Sequence, residues 1–258
     1  MLLVMRISLL VILTTVNTCG AIPGSSPADL DSIINTTVKD LQSSEALCSA
    51  VPVHPAPCDS ADALVAADVT KLQSAAGNWQ PPTTQLVGKD ALTAATQSNL
   101  SPTTSIVDTR VLRLLLERVQ PVLAPAAAPL ASEATATAAS TLPPGYANQL
   151  QILLPGIASE VSGASDSCST PAIESCEVDV LIAGAGVSRV QSAYGSLVVT
   201  PADAPVDAVL KPMLGNLSSQ LSAAASQLAT GTAIDPADPG TWFSDGQEFT
   251  RAALQLAS

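Results

Sequence analysis

Few side chains in this sequence can do chemistry. There is one imidazole, His54, and there are five cysteines: Cys19, Cys48, Cys58, Cys168 and Cys176. A single His excludes a multi-His metal site, and the close pairs Cys48/Cys58 and Cys168/Cys176 lack the CxxC spacing of a redox or zinc motif. His54 is also the only base a Ser–His–Asp triad could use. It lies in a short Pro-rich stretch, and no Gly-x-Ser-x-Gly elbow accompanies it. The 22 acidic residues could in principle supply a glycosidase pair, but sugar sites normally offer aromatic platforms and this chain has only two Trp, two Tyr and two Phe. Trp79 and Trp242-Phe243 fall in expected loops, where capping of helix ends accounts for them better than an exposed contact patch does. Arg110, Arg113 and Arg118 could hold an anion, yet three cations on a solvated helix face need no ligand. The inventory therefore predicts no enzyme, no metal and no catalytic residue.

One segment looks different. Val178-Asp179-Val180-Leu181-Ile182-Ala183-Gly184-Ala185-Gly186-Val187-Ser188-Arg189 resembles the opening of a flavin or nicotinamide dinucleotide fold. There an apolar strand runs into Gly-x-Gly at a helix start, and the glycines let backbone N–H groups approach a pyrophosphate. The resemblance implies a second strand at Leu197–Thr200 and a ribose-binding acid near Asp203. Arg189 stands where the third glycine belongs, and no strand–helix alternation surrounds the segment. The competing reading is a small-residue helix with Leu181, Ala185, Val190, Tyr194 and Leu197 on one face. A hairpin turning at the glycines is the third reading. No cofactor is expected, and helix and hairpin stay open.

The N-terminus addresses the chain. Arg6, the apolar run Ile7–Leu13 and the small residues Thr18 to Ala21 make residues 1–20 an expected secretory signal. Its removal takes away one of ten basic residues and no acid, leaving 9 against 22 and a net charge of −13 in place of −12. The apolar run Ile7–Leu13 is too short to span a membrane, and no later one approaches the length. Four cysteines remain, an even count that in an exported chain implies two disulfides, expected as Cys48–Cys58 and Cys168–Cys176. The sequons at Asn35, Asn99 and Asn216 are candidate glycosylation sites, and Pro102 directly follows the second.

Helical periodicity sets the scaffold. Leu30, Ile33, Ile34, Val38 and Leu41 share a stripe that starts at Pro27. A second helix is expected after Cys58, with Leu64, Val65, Val69 and Leu72 inward and Gly77 at its end. Residues 78–100 are less patterned. A third helix covers about 103–123, with Val107, Val111, Leu114, Leu115, Val119 and Val122 inward, and Pro121 kinks or ends it. Residues 124–146 form an Ala/Pro/Thr-rich linker between an N-terminal helical region, 21–123, and a C-terminal one, 147–258. In the second region, helices are expected at 148–162 and 204–229, followed by a turn-rich stretch and a short terminal helix carrying Phe249 and Leu256. The predicted fold is all-α: an irregular bundle of about five to six amphipathic helices with Pro/Ala/Ser/Thr-rich loops and two short-range disulfides.

Acidity and the scarcity of aromatics exclude a nucleic-acid partner. The expectation is a secreted acidic helical glycoprotein with a non-enzymatic structural or interaction role at the cell surface, wall or extracellular space. Its partner would be a protein, a wall polymer or an apolar ligand. The general makeup is similar to that of small secreted fungal wall and hydrophobic-surface-binding proteins. The alternatives are an extracellular carrier of an apolar or lipid-like ligand, favoured by a dry internal cavity above about 300 Å³ lined by Leu and Val and disfavoured by a tightly filled seam, and a dinucleotide-dependent enzyme built on Gly184–Gly186.

Overall fold

The computed structural model describes residues 27–49, 55–81, 85–97, 106–123, 146–170, 172–202 and 204–235, with 241, 242, 244 and 248. The expected signal segment, Cys19, His54, Asn99, Asp203, Phe243, most of the linker and the terminal helix lie outside these residues. The described residues form seven α-helices and no strand. They are α1 (Pro27–Cys48), α2 (Pro55–Asn78), α3 (Leu86–Gln97), α4 (Ile106–Leu123), α5 (Tyr146–Cys168), α6 (Ile173–Gly195) and α7 (Ala204–Leu228).

The all-helical class stands, but the count exceeds the expected five to six. The loosely patterned stretch 78–100 contains α3. Segment 178–200 is neither strand nor hairpin up to Gly195, because α6 runs unbroken through both glycines. α2 begins at Pro55, ahead of Cys58, and α5 continues past Ser162 to Cys168. Pro121 stays inside α4 near its C-terminal end.

Two apolar cores meet on α6. Leu30, Ile34 and Leu41 of α1, Val65 and Leu72 of α2, Leu92 of α3, and Leu112, Leu115 and Leu116 of α4 form the first, and α6 adds Val178 and Ile182. The second joins Ile157 and Val161 of α5, Val180, Ala183, Val187 and Val190 of α6, and Leu210, Leu214 and Leu217 of α7, with Tyr194 and Trp242. Burial of each large aliphatic side chain contributes about 1.5–3 kcal/mol. A helix apolar on more than one side is an interior helix. Two expected core positions, Leu64 and Val107, are exposed instead, and so is Val209 of α7. Leu64 and Val107 sit at the margin of the buried stripe, each about 40° around its helix from a buried residue four positions on, Asp68 and Val111, so an apolar side chain alone does not mark a core position.

Side chains finish the helix ends. Lys89 Nζ donates to the carbonyls of Ala76 (2.7 Å) and Trp79 (2.9 Å), closing the C-terminus of α2. Gln85 Nε2 donates to the carbonyl of Val122 in the last turn of α4 (2.9 Å). Trp79 is buried directly after α2 under the Lys89 ammonium, as capping requires. α7 ends where Gly231 takes a positive φ of 71° and its N–H bonds the Leu228 carbonyl at 2.8 Å.

Both expected disulfides are present. Cys48–Cys58 clasps α1 to α2 across a sequence separation of 10, and Cys168–Cys176 clasps α5 to α6 across 8. Closing loops this short removes about 2.5 kcal/mol of unfolded-state freedom per bridge. A Cys168→Ser/Cys176→Ser double variant is thus expected to lose about 2–3 kcal/mol in urea unfolding; an unchanged midpoint would show that the clasp adds no stability.

Candidate functional site

The Gly184–Arg189 segment, the strongest chemical signal in the sequence, builds two features on different sides of α6. The first is a buried charge cluster. Arg189 of α6 forks onto Asp90 of α3: its Nε lies 2.9 and 3.0 Å from the two carboxylate oxygens, and its Nη2 lies 2.8 Å from Oδ2. Glu160 of α5 completes the group, with Oε1 4.0 Å from Arg189 Nη2. Asp90 is 2% exposed and Glu160 5%. Gly186 makes room for the cluster, since a Cβ there would fall on Glu160 Oε2. Arg189, out of place for a dinucleotide turn, is thus the cation that ties α6 to α3.

Two carboxylates and one guanidinium leave one negative charge without a counter-charge. Burial, above all, then the Asp90 charge and its hydrogen bond, pushes Glu160 up to about 10, against the lowering pull of Arg189. No protein donor reaches either Glu160 oxygen among the described residues. The carboxyl must therefore supply its own hydrogen, and Asp90 is the neighbouring acceptor. This holds a proton and three helices together.

The second feature is a groove between α3, α6 and α7 with a volume of about 380 Å³. Its buried lining is apolar, with Ala94, Val180 and Leu221. Its exposed edge is polar, with Gln97, Ser188 and Ser222. Among the described residues, no ionisable side chain lines it. Gly184 lies in this wall, and a Cβ built on it would meet nothing within 4 Å.

The other candidates resolve as follows. Cys48, Cys58 and Asp62 converge to within 4.8 Å, the only trio of its kind among the described residues. Both sulfurs are committed to the bridge, and Asp62 accepts a hydrogen bond from Ser44 Oγ at 2.6 Å. The three arginines of α4 are engaged rather than simply solvated. Arg110 pairs with Glu45 (2.7 Å) and Glu174 (3.3 Å), Arg113 with Glu117 (2.8 Å), and Arg118 with Asp179 (3.5 Å). Each pair is partly exposed, so its contribution is small. Asn35 is half-buried in α1, with its amide bonded to Asp31 and Gln120. Asn216 is exposed on α7.

Sequence reasoning missed Asp90, Glu160 and also Glu177, a residue 2% exposed whose carboxyl is raised to about 7 by burial and by the charges of Asp108 and Glu174. The available signal was positional: Glu160 interrupts the stripe Ile157, Val161, Ala164, and Asp90 directly precedes the buried pair Ala91-Leu92. No helix among the described residues is long and apolar enough to cross a membrane. No family model, no curated protein and no solved structure matches the chain.

Proposed function

We propose that this chain is exported and acts without catalysis, as an interaction protein of the cell surface, wall or extracellular space that carries an apolar ligand in the groove between α3, α6 and α7. One observation carries the reading: a groove of about 380 Å³ with an apolar floor and an uncharged lining, a volume inside the range of about 300–1,000 Å³ typical of small-ligand sites. In this reading the helices form an irregular bundle whose amphipathic faces close on two cores, and the Asp90–Arg189–Glu160 cluster holds two of the groove-forming helices in register. Export is supported by the N-terminal segment 1–20 and by two disulfides, which persist in oxidising compartments. Of the two sequons among the described residues, the exposed Asn216 is better placed to carry a glycan than the half-buried Asn35. The dinucleotide alternative loses its support, because the residues that would form its first strand are helical.

The test is mass spectrometry on material secreted from a eukaryotic host expressing the whole coding sequence. Native spectra are expected to show a small-molecule adduct that denaturation removes. The denatured chain is expected to lack residues near 1–20, to contain two disulfides and to carry a glycan at Asn216. A chain retained in the cell with Met1 and free thiols would refute export. Secreted material with no adduct under native conditions would refute the carrier role.

A further inference from the structure

We propose that the groove selects an uncharged single-chain amphiphile with a hydroxylated head, of the monoacylglycerol or long-chain alcohol type. This deepens the carrier reading and rests on it. The aliphatic chain lies on Ala94, Val180 and Leu221, which are buried, and the head reaches the hydroxyl and amide groups of Ser188, Ser222 and Gln97 at the exposed edge.

Charge makes the selection. A carboxylate or ammonium drawn into the groove would shed water and meet no counter-charge there, because none of the lining residues among those described is ionisable. Arg189, the cation next to Ser188 on α6, is outside the lining and forks onto Asp90. The acidic balance of the chain, 22 acidic against 10 basic residues, adds a long-range penalty for anions. A neutral head avoids both costs and still finds hydrogen-bond partners at the edge. Gly184 sets the width. A helix-interior glycine costs about 1 kcal/mol relative to Ala. Its Cβ position is open for 4 Å, as it also is at Gly163 and Gly215, but Gly184 alone of these three lines the groove. What the glycine does provide is empty space in the groove wall.

The experiment compares three probes of equal chain length, 1-decanoylglycerol, decanoate and decyltrimethylammonium, each below its micellar concentration. They are titrated calorimetrically into the secreted chain and into its Gly184→Ala and Gly184→Leu variants, with the association state followed by sedimentation. The glycerol ester is expected to saturate a single site and to bind about tenfold or more tighter than either ion. Gly184→Ala is expected to keep most of that affinity, and Gly184→Leu to lose about tenfold or more with no fall in melting temperature. If an ion binds as well as the ester and Gly184→Leu abolishes both, the neutral class is overturned while the carrier reading stands. If no probe saturates, or binding ignores Gly184→Leu, both are overturned. A concentration-dependent dimer that Gly184→Leu dissociates would make a second copy the occupant and overturn the proposal.

Discussion

Replacing Gly186 with Ala is expected to destabilise the protein by about 2–4 kcal/mol, while the same change at Gly184 stabilises it by up to about 1 kcal/mol. The two glycines are two residues apart on one helix, about 200° around its axis, and intrinsic propensity favours Ala equally at both. Their surroundings decide the sign. At Gly184 an added Cβ meets nothing within 4 Å, so only the gain in helix propensity remains. At Gly186 it falls on Glu160 Oε2 and comes within 2.8 Å of Glu160 Cδ and 3.4 Å of Asp90 Oδ2. An exposed glutamate would swing away. Glu160 is 5% exposed, with Asp90 and Arg189 beside it. Gly156, one turn earlier on α5, is itself close-packed, with its Cβ position 3.3 Å from Arg189 Nη2. Any retreat of Glu160 therefore pulls the cluster apart and leaves buried charge without its partner. Urea unfolding of the two variants reads the contrast directly. Equal and positive shifts would mean that Gly186 is not a packing requirement.

How much of this could be read from the residues varies by helix. α1 and α7 each bury one stripe, so a period near 3.6 shows in Leu30, Ile34, Val38, Leu41 and again in Leu210, Leu214, Leu217, Leu221. The disulfides were equally legible, because short loops leave each cysteine one nearby partner. α3 was hidden by its brevity and by the polar residues around its start, since Gln85 just ahead of it and Lys89 within it are occupied with the carbonyl ends of α4 and α2. α6 was ambiguous for the opposite reason. It faces two cores and a charge cluster, so no single face is left polar enough to define a period. The predicted single face of Leu181, Ala185, Val190 and Tyr194 is divided between the two cores. The charge cluster was the least legible part. Asp90 and Arg189 are 99 residues apart, and no local spacing links them.

Stability should fall as the pH rises from 6 to 9. Glu160 is raised from its ordinary 4.5 to about 10 in the folded chain. Between those values the folded state binds one proton more than the unfolded state, so stability decreases with pH throughout the window. The contribution is complete below the unfolded value and is lost as pH passes through the folded one. At about 1.4 kcal/mol per unit, this one group costs about 4 kcal/mol over three pH units. Glu177, raised to about 7, acts in the same direction over the lower part of the range. Asp207 works oppositely, held down first by the Tyr194 hydroxyl and then by Lys211, but it titrates in acid, below this window. Glu160→Gln supplies the decisive comparison, because the amide is nearly isosteric with the protonated carboxyl and does not ionise. Near pH 6 the variant should unfold close to the parent chain. By pH 9 it should be the more stable of the two by several kcal/mol, with a flatter profile between. Parent and variant profiles with the same slope would mean that Glu160 is ionised in the folded protein, and the account of its place between Asp90 and Arg189 would fail.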